Sequence, residues 1–128
     1  MSGFPDTDDP LEALRQRLRD FAAERDWDQF HSPKNLAMAL ITEAAELVEH
    51  FQWLSEDESS ALPPEKLEEV KLELADILIY VIRLADKLNI DLLAAANQKI
   101  VLNEKKYPAD RVRGDARKYT EYRDKGAG

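Results

Sequence analysis

Leu11, Leu14, Leu18 and Phe21 recur three and four residues apart and predict a first helix from Pro10 to about Arg25. Asp9-Pro10 supplies its start, an N-cap acceptor followed by a proline in the first turn. Ser32-Pro33 opens a second predicted helix that runs to about Leu54. Its apolar face is Leu36, Leu40, Ala44, Leu47 and Phe51, widened by Ala37, Ile41 and Val48. A third runs from about Pro64 to Leu88 on the stripe Leu67, Val70, Leu74, Ile77, Val81, Leu84 and Leu88. Ile79 and Ile82 lie off that stripe, which points to a second buried face and hence to a subunit contact. The fourth starts at the N-cap Asp91, carries Leu92, Leu93, Ala96, Ile100 and Val101, and stops at Tyr107-Pro108.

The segments between lack this period. Asp26–His31 reads as a loop with exposed aromatic rings, and Ser55–Pro64 as a solvated connection. Residues 1–9 read as a loose tail and 109–128 as a charged tail or arm over a neighbour, which leaves 10–108 as one helical domain. The expected fold is all-α: four main helices packed antiparallel, bundle-like, in an oligomer.

Composition narrows the function. The chain has 128 residues, enough for one domain with a core, and a net charge of -8, which argues against polymeric nucleic acid as a partner. A small polyphosphate carried with a cation remains open, because the metal brings the positive charge. The absence of cysteine excludes disulfides, thiolate metal sites and cysteine nucleophiles. No apolar run approaches the roughly 18–20 residues of a membrane span, and the acidic N-terminus does not resemble a signal peptide, so a cytoplasmic protein is expected.

Two acidic pairs carry the candidate chemistry: Glu43-x-x-Glu46 on the second predicted helix and Glu73-x-x-Asp76 on the third. Glu43, Glu46 and His50 share one stripe flanking the apolar face, as do Glu69, Glu73, Asp76 and Tyr80. If the helices pack antiparallel the two sets meet, and their carboxylates can grip a hard cation such as Mg²⁺. The spacing alone is cheap, since acid pairs at i, i+3 occur seven times in the chain. Solvated helix faces are therefore the competing explanation, and only the position beside the stripe sets these two pairs apart. Neither histidine follows a glutamate by three, which disfavours a di-iron bundle.

Trp27, His31 and Trp53 border the acidic helices and could stack on a nucleobase. Trp53 could equally be core packing at a helix end. Lys99, Asn103 and Lys106 fall at i, i+4 and i+7 on the fourth helix, either as an anion-binding face or as an ordinary solvated one.

Taken together, these residues resemble the MazG-like all-α nucleoside triphosphate pyrophosphatases, closest to the dCTP pyrophosphatase branch. The family pattern E-x-x-E, spacer, E-x-x-D is filled by Glu43, Glu46, Glu73 and Asp76. More specific are the segment from Phe21 to His31, the Phe51-Gln52-Trp53 run, Asp76–Tyr80, Lys99…Asn103…Tyr107-Pro108 and Lys118-Tyr119-Thr120. The resemblance covers roughly Leu11 to Thr120.

It implies that Glu43, Glu46, Glu73 and Asp76 bind Mg²⁺ or Mn²⁺ and form the catalytic set. It implies that Trp27, His31 and Trp53 enclose a base, that Tyr80 contacts the nucleotide, and that Lys99, Asn103 and Lys106 face the phosphates. It also implies a homotetramer built as a dimer of dimers, and hydrolysis of a (deoxy)pyrimidine triphosphate, dCTP or a modified dCTP, to the monophosphate and pyrophosphate. Leu18 departs from the pattern, standing where close relatives carry a histidine, and the Ser55–Pro64 spacer is a few residues shorter. The alternatives are a related pyrophosphohydrolase acting on another nucleotide such as dUTP, or a non-catalytic acidic oligomerisation module.

Overall fold

The computed structural model describes residues 7–116 and is helical throughout, with no strand among those residues. The long helices are α1 (Pro10–Glu24), α2 (Pro33–Glu49), α4 (Pro64–Lys87) and α5 (Leu92–Lys106); α3 (Glu56–Ser59) and α6 (Ala109–Val112) are single turns. The expected tail over residues 1–6, the far end of the arm from 117 onward and the Lys118-Tyr119-Thr120 motif lie outside the described residues. The chain divides into two compact units between Ile90 and Asp91, so the expected domain 10–108 spans both.

Helix starts follow local chemistry. The Asp9 carboxylate accepts from the Leu11 and Glu12 amides, Ser32 Oγ from Asn35, and Asp91 from Ala94. Helices α1 and α4 both end with a left-handed residue that is not glycine, Asp26 (φ 54°) and Asn89 (φ 55°). In each case the next amide reaches back to close the turn, Trp27 to the Ala22 carbonyl and Ile90 to Ala85. The first of these stops sets the direction of Trp27.

Two boundaries differ from expectation. Helix α2 ends at Glu49 rather than near Leu54, because the chain tightens: the His50 and Phe51 amides bond three residues back, to Leu47 and Val48. The Ser55–Pro64 connection contains α3, held by a reciprocal cap in which Ser55 Oγ accepts from the Glu58 amide and Glu58 accepts from the Ser55 amide. The Ser-x-x-Glu signature was present in the sequence for that turn. Asp28–Phe30, expected as loop, forms one 3₁₀ turn.

Within the unit ending at Ile90, α4 is the central helix and both α1 and α2 pack on it. Glu43 lies near Glu73 while His50 lies near Lys66 and Glu69, so α2 and α4 run antiparallel. The largest fully buried side chains among the described residues are Leu36 and Ile82, at 1% and 2% exposure, and Ala22, Val70 and Ala85 are buried as well. Ile82 corrects the sequence reading. Its face is indeed a second buried face of α4, but Ile82 is already buried within this chain, at 2% exposure, and is not left open for another subunit. Arg15 and Arg19 on α1 bind Asp86 at 2.7 and 2.5 Å and clamp the two helices together.

Conversely, Leu67, Leu74 and Leu88, expected in the core stripe, are exposed. The buried face of α4 is rotated toward Glu73 and Tyr80, because α1 and α2 approach it from those sides. On α2, Met38, Ile41 and Val48 share one exposed side, with Ile41 at 66%. Helix α5 buries no residue, so its expected apolar positions Leu93, Ile100 and Val101 are exposed.

Urea unfolding should show this asymmetry. Leu36→Ala should cost about 2–5 kcal/mol, the range for a buried leucine. Ile41→Ala in dilute protein should stay within about 0.5 kcal/mol, as for exposed positions.

Candidate active site

Glu43 points from α2 into the seam with α4, and Glu73 and Asp76 point from α4 toward it. The three offer carboxylate oxygens that all lie within 4.8 Å of one another. The seam is therefore where the two acidic pairs meet, and Glu43 and Glu73 sit half-buried within it rather than beside it. Glu46 is also half-buried; it is not one of the three, but its charge helps to raise the Glu43 pKa. Glu43 Oε2 and Glu73 Oε2 are both buried without any hydrogen-bond partner.

That arrangement is unfavourable for bare anions. The Glu43 carboxyl is pushed up to about 7, first by the Glu73 carboxylate beside it, then by burial and by Glu46. Tyr80, next along the same face of α4, is also pushed up, by burial first and then by the Glu43 and Asp76 charges. Orphaned oxygens and a proton held at Glu43 both mark a site in want of positive charge. An oxygen-only donor set with i, i+3 spacing suits a hard divalent cation. Glu43, Glu73 and Asp76 fit that role directly, and Glu46 is the neighbouring fourth carboxylate.

A cleft of about 450 Å³ opens beside the cluster, within the size range of small-molecule sites. Leu14, Leu18 and Phe21 of α1 form one wall, Trp27 and His31 the rim, and Asp76 and Tyr80 of α4 the floor. Asp76 thus belongs both to the carboxylate cluster and to the cleft. Phe21 and Trp27 meet edge to face with centroids 5.8 Å apart, and the Arg25 guanidinium carbon lies 3.6 Å from the Phe21 ring centre. Trp27 keeps a half-exposed ring, available for stacking.

Of the residues singled out from sequence, the structure gathers Glu43, Glu73, Asp76, Tyr80, Trp27 and His31 around this seam and cleft. Trp53 is not brought to it: at 87% exposure it follows α2 on a surface turn, which also excludes the core-packing alternative. Lys99, Asn103 and Lys106 are exposed on α5, in the second compact unit.

Sequence reasoning missed Arg83, which is 3% exposed and lines the cleft. One signal was available: Arg83 is the single charged residue in the apolar run Ile77–Ala85. It pairs with Asp28 at 3.0 Å, and Lys87 joins the same carboxylate at 2.5 Å. The Lys87 and Arg83 hydrogen bonds, in that order, hold Asp28 below the usual carboxylate range. Burial pushes Asp86 up, but the Arg19 and Arg15 hydrogen bonds outweigh it and hold that carboxyl low.

The MazG-like family profile matches residues 39–122, and the chain belongs to that family. It is 45% identical over 113 residues to dCTP pyrophosphatase 1 of Mus musculus and 43% identical to that of Homo sapiens, each covering 87% of this chain and 66% of the relative. The chain thus spans about two thirds of the length of these curated relatives. Among solved structures, a pyrophosphatase from Archaeoglobus fulgidus superposes with a TM-score of 0.75 at 39% identity, covering 83% of this chain and 99% of that one.

A pH titration of stability tests the cluster. Glu43 is raised above its ordinary 4.5, so its favourable contribution is complete at low pH and is lost as pH rises through about 7. In metal-free protein the melting temperature should therefore fall between about pH 5 and about pH 8. Glu43→Gln, which cannot ionise, should flatten that part of the profile.

Proposed function

We propose that the protein is a Mg²⁺-dependent nucleoside triphosphate pyrophosphohydrolase that cleaves a (deoxy)pyrimidine triphosphate, dCTP foremost, to the monophosphate and pyrophosphate. The observation that carries this reading is Asp76, which joins a three-carboxylate cluster to an aromatic-rimmed cleft. A cluster alone could be structural, and a cleft alone could take any flat ligand. Their shared residue supports a substrate with a ring at one end and a metal-bound polyphosphate at the other. The names of the curated relatives, dCTP pyrophosphatase 1, support the same substrate class.

Glu43, Glu73 and Asp76 would hold the cation, with Glu46 completing the set. A divalent cation, Mg²⁺ or Mn²⁺, supplies neutralisation of phosphate charge and a water of lowered pKa. The protein's own residues do the rest. Trp27 and His31 hold the base, and Tyr80, flanking Asp76, contacts the nucleotide. A carboxylate oxygen of Glu46 orients the attacking water and takes its proton. A new oxygen–phosphorus bond forms at the α-phosphorus as the bond to the β-phosphate breaks, and pyrophosphate leaves. Trp53 at the base and Lys99, Asn103 and Lys106 at the phosphates remain part of the proposal on the strength of the family resemblance.

Leu18 favours keeping a second substrate in view. It lines the cleft, at a position where the family resemblance implies a histidine, so a polar contact to the base would be replaced by an apolar wall. A related pyrimidine nucleotide, such as dUTP or a 5-modified dCTP, fits that change. The exposed apolar side of α2 at Met38, Ile41 and Val48 supports the proposed homotetramer. Among the described residues no helix is long and apolar enough to cross a membrane, and cytoplasmic location belongs to the same proposal.

Pyrophosphate release should require Mg²⁺ and should be greatest for one pyrimidine triphosphate in a panel of canonical and 5-modified substrates. Asp76→Asn and Glu46→Gln should each lower kcat by at least about 100-fold. Undiminished turnover in both variants would refute the assignment. Millimolar Mg²⁺ should raise the melting temperature of wild type by mass action and leave Glu73→Gln nearly unmoved.

A further inference from the structure

Arg83 is buried, lines the cleft, and commits both hydrogens of one guanidinium nitrogen to the rim. Its NH2 group donates to Asp28 Oδ1 at 3.0 Å and lies 3.1 Å from His31 Nδ1. Its NH1 group lies 3.5 Å from Asp86 Oδ2. A guanidinium carries five donors, has no acceptor and does not lose its proton in a protein. His31 Nδ1 must therefore accept. In a neutral imidazole the other nitrogen, Nε2, then carries the hydrogen. A protonated ring would aim an N–H at an N–H. No hydrogen bond to Nε2 is made among the described residues, so this donor is left for a ligand.

We propose that Arg83 is a positioning residue that fixes His31 as its neutral Nε2–H tautomer, so that the cleft rim presents a hydrogen-bond donor and selects ligands with an acceptor there. The charge network holds the arrangement in place. Asp28 is shared by Arg83 and Lys87, and Asp86 ties Arg83 to Arg15 and Arg19 on α1. Those ion pairs stop the guanidinium from turning away from the ring. Burial, and next the Arg83 charge, push the His31 pKa down, which agrees with a ring that stays neutral. The ligand half of the inference rests on the proposed function and refines it. The acceptor chemistry it selects is an unprotonated ring nitrogen or a carbonyl oxygen on the base, as cytosine offers along its pairing edge. A base that turns a ring N–H toward His31 would meet donor with donor.

The test begins without any nucleotide. Long-range ¹⁵N–¹H spectra of ¹⁵N-histidine protein at neutral pH should show His31 with a bare Nδ1 and a protonated Nε2, assigned by loss of its signals in His31→Phe. A proton on Nδ1, or a charged ring, would overturn the proposal. In Arg83→Met the ring should become a mixture of tautomers; an unchanged spectrum would also overturn it. Should Arg83→Met fail to fold, Arg83→Lys gives the same readout, since one ammonium cannot serve Asp28 and His31 with the same fork. For the ligand half, His31→Phe should raise KM for the best pyrimidine triphosphate by about tenfold, more than it lowers kcat, the loss of about one hydrogen bond. An unchanged KM overturns that half. Wild-type protein that shows the expected tautomer yet turns over no triphosphate would instead refute the proposed function.

Discussion

Two helices that turn glutamates into the seam between them must find something to offset the charge. That constraint organises the unit that ends at Ile90. Glu43 and Glu73 each leave one oxygen buried without a partner, and Glu43 is driven to hold a proton near neutrality. In an ordinary core such positions would be leucine, and the seam would gain stability from burial. Here the fold forgoes that gain at the middle of the α2–α4 contact. Leu36 on one side and Val70 on the other supply the packing that the acids do not. A cation gripped there would relieve the repulsion and join the helices, so stability and chemistry draw on the same residues.

The second organising feature is the set of ion pairs near the C-terminal end of α4. Asp86 draws Arg15 and Arg19 of α1 against it, while Asp28 draws Arg83 and Lys87. Removing one partner from a buried pair costs more than the pair itself gains, because the remaining charge is left unpaired. The effect is to fix α1, and the turn that follows it, over the C-terminal half of α4. Trp27 and His31 come to the rim of the cleft by this route. The left-handed turn at Asp26 redirects the chain so that Trp27 folds back toward Phe21. The cleft is thus held by charge along one edge and by aromatic packing along the other.

Much of this was legible in the sequence. The N-caps at Asp9, Ser32 and Asp91, the prolines that follow two of them, and the three- and four-residue spacing of leucines place all four long helices. These signals are local: a cap needs one side chain and its neighbouring amides, and a stripe needs only helical period. The two acidic pairs and the aromatic segment before α2 were legible for the same reason, and the family resemblance gave them a shared meaning. Helix ends were less legible. The close of α2 is a gradual tightening, without glycine or proline to mark it in the residues from Glu49 to Leu54.

What the chain's sequence determined by itself was the set of helices and the chemical groups each one carries. What only the tertiary structure decided was which side of each helix turns inward. Leu67 and Leu74 looked like core and are exposed; Ile82 looked like a subunit contact and is buried within the chain; Trp53 is left on the surface. A helical period defines faces but does not say which neighbour covers them, and α4 is wide in apolar residues on several sides. The choice was made by long-range ion pairs such as Arg19–Asp86 and Arg83–Asp28, whose partners are more than fifty residues apart in the chain. No local pattern reports such a pairing. One of the same contacts brought Arg83 against His31.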